Sequence, residues 1–199
     1  MDNSVLFSLT YGLFVLTAYE YKDNGCIINT VNQVANNPER LAISVSKSNL
    51  TCDMIASTGK FNLSILDKTV PFEVFTRFGF QSGRSADKLD GVSFKRSENG
   101  LVYLTEHTAG YISCEVSQVI DLGTHLMFIA EIVDGERLSG SEPVTYAYYH
   151  SNIKPQQKQE EKKGYVCRIC GYVYEGENLP PDFVCPLCKH PASDFEKIK

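Results

Sequence analysis

Four cysteines carry the clearest chemistry in the sequence. Cys167, Cys170, Cys185 and Cys188 form a C-x2-C pair, a gap of 14 residues and a second C-x2-C pair. A thiolate pair at that spacing clamps one metal across a tight turn. Two such turns facing each other give tetrahedral sulfur ligation, which suits iron or zinc. In CRICGY, Gly171 lets the backbone turn back toward the sulfurs with amides aimed at them. The second pair reads CPLCKH. Grouping in twos with two-residue gaps argues against disulfides. Spacing alone leaves a redox iron and a structural zinc ribbon both open. Four thiolates saturate either metal, so His190 is expected at the surface. Cys26, Cys52 and Cys114 are scattered and read as buried small hydrophobes.

The rest of the chain is quieter. There is no G-x-G-x-x-G, no G-x-x-x-x-G-K-[ST] and no H-E-x-x-H. His107, His125 and His150 are not spaced as ligands, and Ser113 and Ser117 sit in no nucleophile elbow, so a conventional hydrolase is not indicated. Three polar segments stand out. Asn29, Thr30, Asn32 and Gln33 fall at a strand end. Ser46, Lys47, Ser48 and Thr51 run into a short helix, where amides, hydroxyls and a lysine make a phosphate site, or else a plain N-cap beside an exposed lysine. FQSGRSADKLDG, with Ser82, Gly83, Arg84 and Lys88, reads as a second anion-binding loop or an ordinary solvated one.

These residues must be held by a chain of 199 residues with 43% hydrophobic and 22% charged side chains, enough for a proper core in one or two domains. A net charge of -5 offers no basic face for nucleic acid. Residues 1–20 lack a basic n-region and a cleavage site, and the apolar stretch 5–18 is interrupted by Ser8, Thr10, Tyr11, Gly12 and Thr17. The expectation is a cytoplasmic protein with no membrane association. Segment 151–163 has no large apolar residue except Ile153 and reads as a linker. It separates a domain at 1–150 from one at 164–199, which is too small to fold well on apolar burial alone and would gain stability from a metal. The larger domain reads mainly as strands: 13–19, 25–34, 41–45, 61–66, 111–121 and 126–134, with a turn at 36–38. Short helices are expected at 51–56, with Ser48, Asn49 and Thr51 as candidate caps and Gly59 at its end, and at 70–78. Asp134-Gly135 signals a tight reversal. No internal repeat is evident. Regular strand–helix alternation is absent, which favours a closed or partly closed antiparallel barrel.

The C-terminal stretch resembles a rubredoxin through Tyr165, Gly171-Tyr172, Tyr174, Pro181-Asp182-Phe183, Cys185-Pro186, Cys188 and Phe195. The gap between its cysteine pairs is shorter than in free rubredoxins and closer to fused rubredoxin-type modules. The resemblance implies one iron on Cys167, Cys170, Cys185 and Cys188, with the five aromatics as a small core. Residues 1–150, through GLFVLTA, NTVNQV, SVSKSNLT, GKFNLSIL, FGFQSGRSADKLDG and VTYAYYH, resemble the FMN-binding split-barrel proteins of the flavin reductase-like family. That resemblance implies a mainly β split barrel and a homodimer with FMN near the subunit interface. It puts Asn29, Thr30, Asn32 and Gln33 on the isoalloxazine and ribityl chain. Ser46, Lys47, Ser48 and Thr51 would hold the phosphate, and Ser82, Gly83 and Arg84 would close the site. His150 is expected as an interface histidine.

The union of the two resembles the high-molecular-weight rubredoxins. It implies electrons taken from NADH or NADPH at FMN and passed singly to the iron, then to a partner such as a flavodiiron protein. No catalytic acid or base is expected, because a hydride moving ring to ring needs stacking and orientation. The competing readings are an electron carrier reduced by a separate reductase, a reductase that releases its flavin, and a zinc-ribbon interaction protein.

Overall fold

The computed structural model describes residues 5, 8–155, 164–168, 171–186 and 190–198. The chain divides into two compact units, 1–155 and 156–199. Of the expected linker, 156–163 lies outside the described residues. A helical turn at Tyr149–Ile153 closes the first unit, and Ile153 packs on its second core cluster. Among the described residues no helix is long and apolar enough to cross a membrane.

Seven strands of the first unit form one antiparallel sheet: β1 Phe14–Tyr19, β2 Asp23–Ile28, β3 Val31–Asn36, β4 Glu39–Ser46, β5 Lys60–Leu66, β8 Thr108–Asp121 and β9 His125–Arg137. A separate hairpin joins β6 Phe94–Arg96 to β7 Val102–Leu104. The order in the large sheet is β2-β1-β5-β8-β9-β4-β3. Its two ends, β2 and β3, are consecutive in sequence, joined only by Asn29 and Thr30. Residues from both halves nevertheless share one core: Leu16 and Cys26 on one side, Ile43, Val45 and Phe128 on the other. The sheet therefore curls round a common interior and stays split between β2 and β3. Bulges in the long β8–β9 ladder, at Ser113/Cys114 and Val116/Gln118, supply local bending.

Strand β4 shows why these residues form strands. Leu41, Ile43 and Val45 point inward and alternate with half-buried neighbours, the period of a one-sided strand. Strand β5 is covered on both faces. Phe61 and Leu63 enter the core, whereas Asn62 and Ser64 meet the β6–β7 hairpin. Helix α1, Leu50–Thr58, fills the barrel interior with Met54 and Ile55 and ends at Gly59, whose φ of 69° is left-handed. Helix α2, Phe72–Gly79, packs Phe75 and Phe78 into the second cluster. Cys26, Cys52 and Cys114 all lie in the first core, where burial pushes the Cys26 and Cys114 thiols up to about 11 and about 12.

One expected turn is absent. Asp134-Gly135 lies inside β9, paired with Ser113 and Ile112. The Asp134 carboxylate takes the Tyr111 hydroxyl at 2.8 Å as well as the Gly135 N–H, which removes the aspartate from turn formation. The partner strand β8 then continues the ladder.

The second unit is a small sheet of β10 Tyr165–Cys167, β11 Val173–Tyr174 and β12 Phe195–Lys197, ordered β11-β10-β12. Its core is Cys167, Cys185 and Phe195, with Tyr165, Tyr172, Tyr174, Leu179 and Phe183 against them.

The hairpin contact suggests a stability test. The Asn62 amide donates to Ser97 Oγ at 2.8 Å and to the carbonyls of Leu101 and Val102, and its oxygen accepts from Asn99. Asn62→Leu keeps the volume, removes these bonds and leaves the Asn99 amide without its acceptor. It should cost about 3 kcal/mol by urea denaturation of the full chain, and a loss under about 0.5 kcal/mol would show that the network adds little.

Candidate functional site

The split in the sheet opens a cavity of about 380 Å³ lined by Ile27, Ile28, Asn29, Thr30, Ser44, Ser46, Asn49, Leu122 and His125. Topology places it there: β2 ends at Ile28, the connection to β3 crosses the gap, and β4 brings Ser44 and Ser46 to the opposite side. Thr30 fixes the connection, since its hydroxyl donates to the Ser44 carbonyl at 2.7 Å and its own carbonyl accepts the Ser44 N–H. The walls combine isoleucine and leucine faces with small polar groups, a surface suited to a flat heteroaromatic ring.

Helix α1 begins at the edge of this cavity. Asn49 stands at its N-cap with no side-chain hydrogen bond to the first turn. Of the three expected caps Asn49 stands in place, and the other two are used elsewhere. Ser48 Oγ lies 2.9 Å from Ser46 Oγ. Thr51 is fully buried and accepts from Asn24 Nδ2 at 2.9 Å. An uncapped first turn beside two hydroxyls offers amide donors and a favourable dipole to a phosphate. These residues fit FMN: apolar walls for the ring, polar rims for its edge and a donor-rich helix start for the anion.

The eleven residues expected on the flavin are thus placed unequally. Asn29, Thr30 and Ser46 line the cavity, and Ser48 is bonded to Ser46. Lys47 has a partner of its own: its ammonium lies 2.7 and 2.8 Å from the Asp121 carboxylate oxygens. Lys47 and then the Gly123 N–H hold that carboxyl below its ordinary pKa. The Lys47 amide also donates to the Thr124 carbonyl, so this residue ties the β8–β9 turn to the start of α1. Thr51 can reach a ligand only through its main chain. Asn32 and Gln33 are exposed on the edge strand β3 and are not among the lining residues. Ser82, Gly83 and Arg84 attach to α1 and β2: Arg84 pairs with Asp53 in the first turn at 2.6 Å, and Gly83 lies against Asn24.

The sequence reading did not put Ile27, Ile28, Ser44, Leu122 or His125 on the site, and it offered Asn49 only as a helix cap. Alternation along β4 carried a signal for Ser44, which shares a face with Ser46 opposite the apolar residues. Nothing local marked His125, whose Nδ1 lies 2.9 Å from Thr124 Oγ1. His150 lines a different cavity of about 620 Å³, with Leu9, Tyr11 and Tyr146. Its ring stands edge-on to Tyr146, and burial and then Lys154 hold its pKa below that of an ordinary histidine.

In the second unit Cys167 and Cys185 are buried at 1% and 0% exposure. They occupy matching turns. The Cys167 N–H donates to the Tyr172 carbonyl and the Cys185 N–H to the His190 carbonyl, five residues on in both cases. Val166 pairs with Val173, and Val184 with Pro191, seven residues on in both cases. The two cysteine turns are therefore a local structural repeat, which the differing residues CRICGY and CPLCKH conceal. Gly171 at φ 77° closes the first turn. His190 is half-exposed, its Nδ1 2.8 Å from Asp194. Cys170 and Cys188 lie outside the described residues, and among the described residues no three metal-ligating side chains gather. Two buried sulfurs in paired turns around an aromatic core fit the donor set of a thiolate-bound metal.

Residues 6–156 match the flavin reductase like domain, and residues 165–196 match the rubredoxin-like domain of rubrerythrin. The chain belongs to the flavin reductase-like family and carries a rubredoxin-like domain after it. It is an oxidoreductase with the FMN- and NAD(P)H-dependent activity typical of that family. Over its full length it is 37% identical to a high molecular weight rubredoxin of Moorella thermoacetica, with all of both chains covered. It is also 35% identical to a ferric-chelate reductase (NAD(P)H) of Archaeoglobus fulgidus, over 75% of this chain and 89% of that one. The Streptomyces globisporus NADH:FAD oxidoreductase SgcE6 shares the fold, with a TM-score of 0.65 at 19% identity over 71% of this chain and 84% of that one.

Ser46→Ala removes a hydroxyl from both the cavity and the helix start. FMN affinity, read by quenching of flavin fluorescence, should fall about tenfold. Unchanged affinity would take Ser46 out of the site.

Proposed function

We propose that this protein takes a hydride from NADH or NADPH at FMN and delivers electrons one at a time to a single iron held by Cys167, Cys170, Cys185 and Cys188. One observation carries this reading: a flavin-fitting cavity and a pair of buried cysteine turns occur in the same chain. FMN, when bound, supplies the exchange between a two-electron donor and a one-electron acceptor.

The residues of the chain bind and orient. Ile27, Ile28 and Leu122 present apolar faces to a ring, and Asn29, Thr30 and Ser44 present donors and acceptors to its edge. The first turn of α1, with Ser46 and Ser48, meets the phosphate. Among the described lining residues His125 is the one titratable side chain, so the cavity is built for stacking and positioning, with little provision for acid–base work. In the second unit the aromatic shell of Tyr165, Tyr172, Tyr174, Phe183 and Phe195 keeps water from the sulfurs, which tunes a bound metal. Covalent joining of the two units raises the effective concentration of the acceptor near the flavin. The same reading takes the protein as a cytoplasmic homodimer that hands electrons to a partner protein such as a flavodiiron protein.

Anaerobic mixing of the full-length protein with NADH or NADPH tests this directly. Flavin bands should bleach first and ferric–thiolate bands second, at a rate independent of protein concentration. Cys185→Ser should keep the first phase and lose the second. A flavin that neither nucleotide reduces would point to a separate reductase. A reduced flavin beside an oxidised iron would rule out the intramolecular route.

A further inference from the structure

The loop after α2 carries a cation where charge is costly. Lys88 is 3% exposed, and its ammonium donates to the Gly25 carbonyl at 3.0 Å and the Phe78 carbonyl at 3.1 Å. Among the described residues no carboxylate forms an ion pair with it. A buried ammonium without a counter-ion persists only where dipoles replace water. Phe78 sits at the C-terminal end of α2, where carbonyls lack helical partners and the helix dipole favours a cation. Burial still lowers the pKa of this lysine. One side chain thereby joins β2, the end of α2 and the loop.

What the loop does at its other end gives the joint a purpose. Ser82 organises the turn: its carbonyl accepts the N–H groups of Ser85 and Ala86, and its hydroxyl accepts that of Arg84. Gly83 lies so near Asn24 that a Cβ there would stand 2.1 Å from Asn24 Oδ1. Asn24 is 2% exposed and donates to Thr51 in the first turn of α1. Lys22 donates to the Gly83 carbonyl, and Arg84 reaches Asp53. The Arg84–Asp53 pair is exposed on both sides, where such pairs hold little. Lys88 is the buried attachment, and its carbonyl partners lie on rigid elements.

We propose that Lys88 is a positioning residue for the anion end of the flavin site: it pins the Ser82–Arg84 loop beside the first turn of α1 and so sets the preference for a phosphorylated flavin without touching it. This inference rests on the flavin reading above.

Affinities of the full-length, flavin-free protein for FMN and riboflavin, read by fluorescence quenching, provide the test. Lys88→Met should weaken FMN tenfold or more and riboflavin less than twofold, so that the preference collapses. Equal weakening of both flavins would mean a general structural role and would overturn the proposal, as would no change in either. If Lys88→Met does not fold, Lys88→Gln takes its place and should lower the FMN-to-riboflavin preference at least threefold. A wild-type preference in that variant would overturn the proposal. A wild-type protein that binds riboflavin as well as FMN would instead refute the placement of the phosphate.

Discussion

Strands β2 and β3 are separated by two residues, yet they pair with opposite ends of the same sheet. That split governs the first unit. A sheet curled round one core must either close its edges or leave them facing each other, and here they face across Asn29 and Thr30. The gap lets the apolar ends of β2 and the small polar residues of β4 line one cavity. Helix α1 fills the interior and delivers its uncapped N-terminus to the same place. The hydrogen bonds of Thr30 to Ser44 carry the β3–β4 pairing up to the edge of the gap. Cavity, helix start and the hydroxyls beside it are consequences of one unclosed seam.

The second unit meets a different constraint. Its core consists of two cysteines, one phenylalanine and a ring of partly buried aromatics. A domain of that size buries too little apolar surface to be stable by burial alone, so its stability leans on the cysteine turns. The equal spacing of the two turn-closing hydrogen bonds brings matching backbone to both sulfurs. This symmetry gives two unlike sequence segments the same backbone geometry.

Much of this was legible in the sequence, because some residues have few alternative uses. Paired C-x2-C cysteines and a glycine after a short helical stretch mean much the same in most contexts. The barrel followed from β-branched runs without regular helices between them. Asp134-Gly135 misled because local turn propensity yields to a long ladder that offers every amide a partner and the carboxylate a tyrosine hydroxyl. Lys47 reads as a phosphate ligand, but its pairing with Asp121, 74 residues away, has no local signal. His125 carried no local mark, and Lys88 read as part of an anion-binding or solvated loop and not as a buried cation, since their positions follow from hairpin register and from a loop folding back on β2. The residues around the cavity of the first unit depend on long-range pairing, whereas the paired cysteines of the second unit depend on near neighbours.

The central claim is that one chain holds a flavin and a thiolate-bound iron together. An absorption spectrum of protein grown in iron-replete medium and purified without added cofactor, with flavin and metal analysis on the same sample, tests it most directly. The account predicts one FMN and one iron per chain, with the bands of both. Protein that contains neither chromophore, or flavin beside a zinc that iron does not replace, would contradict it.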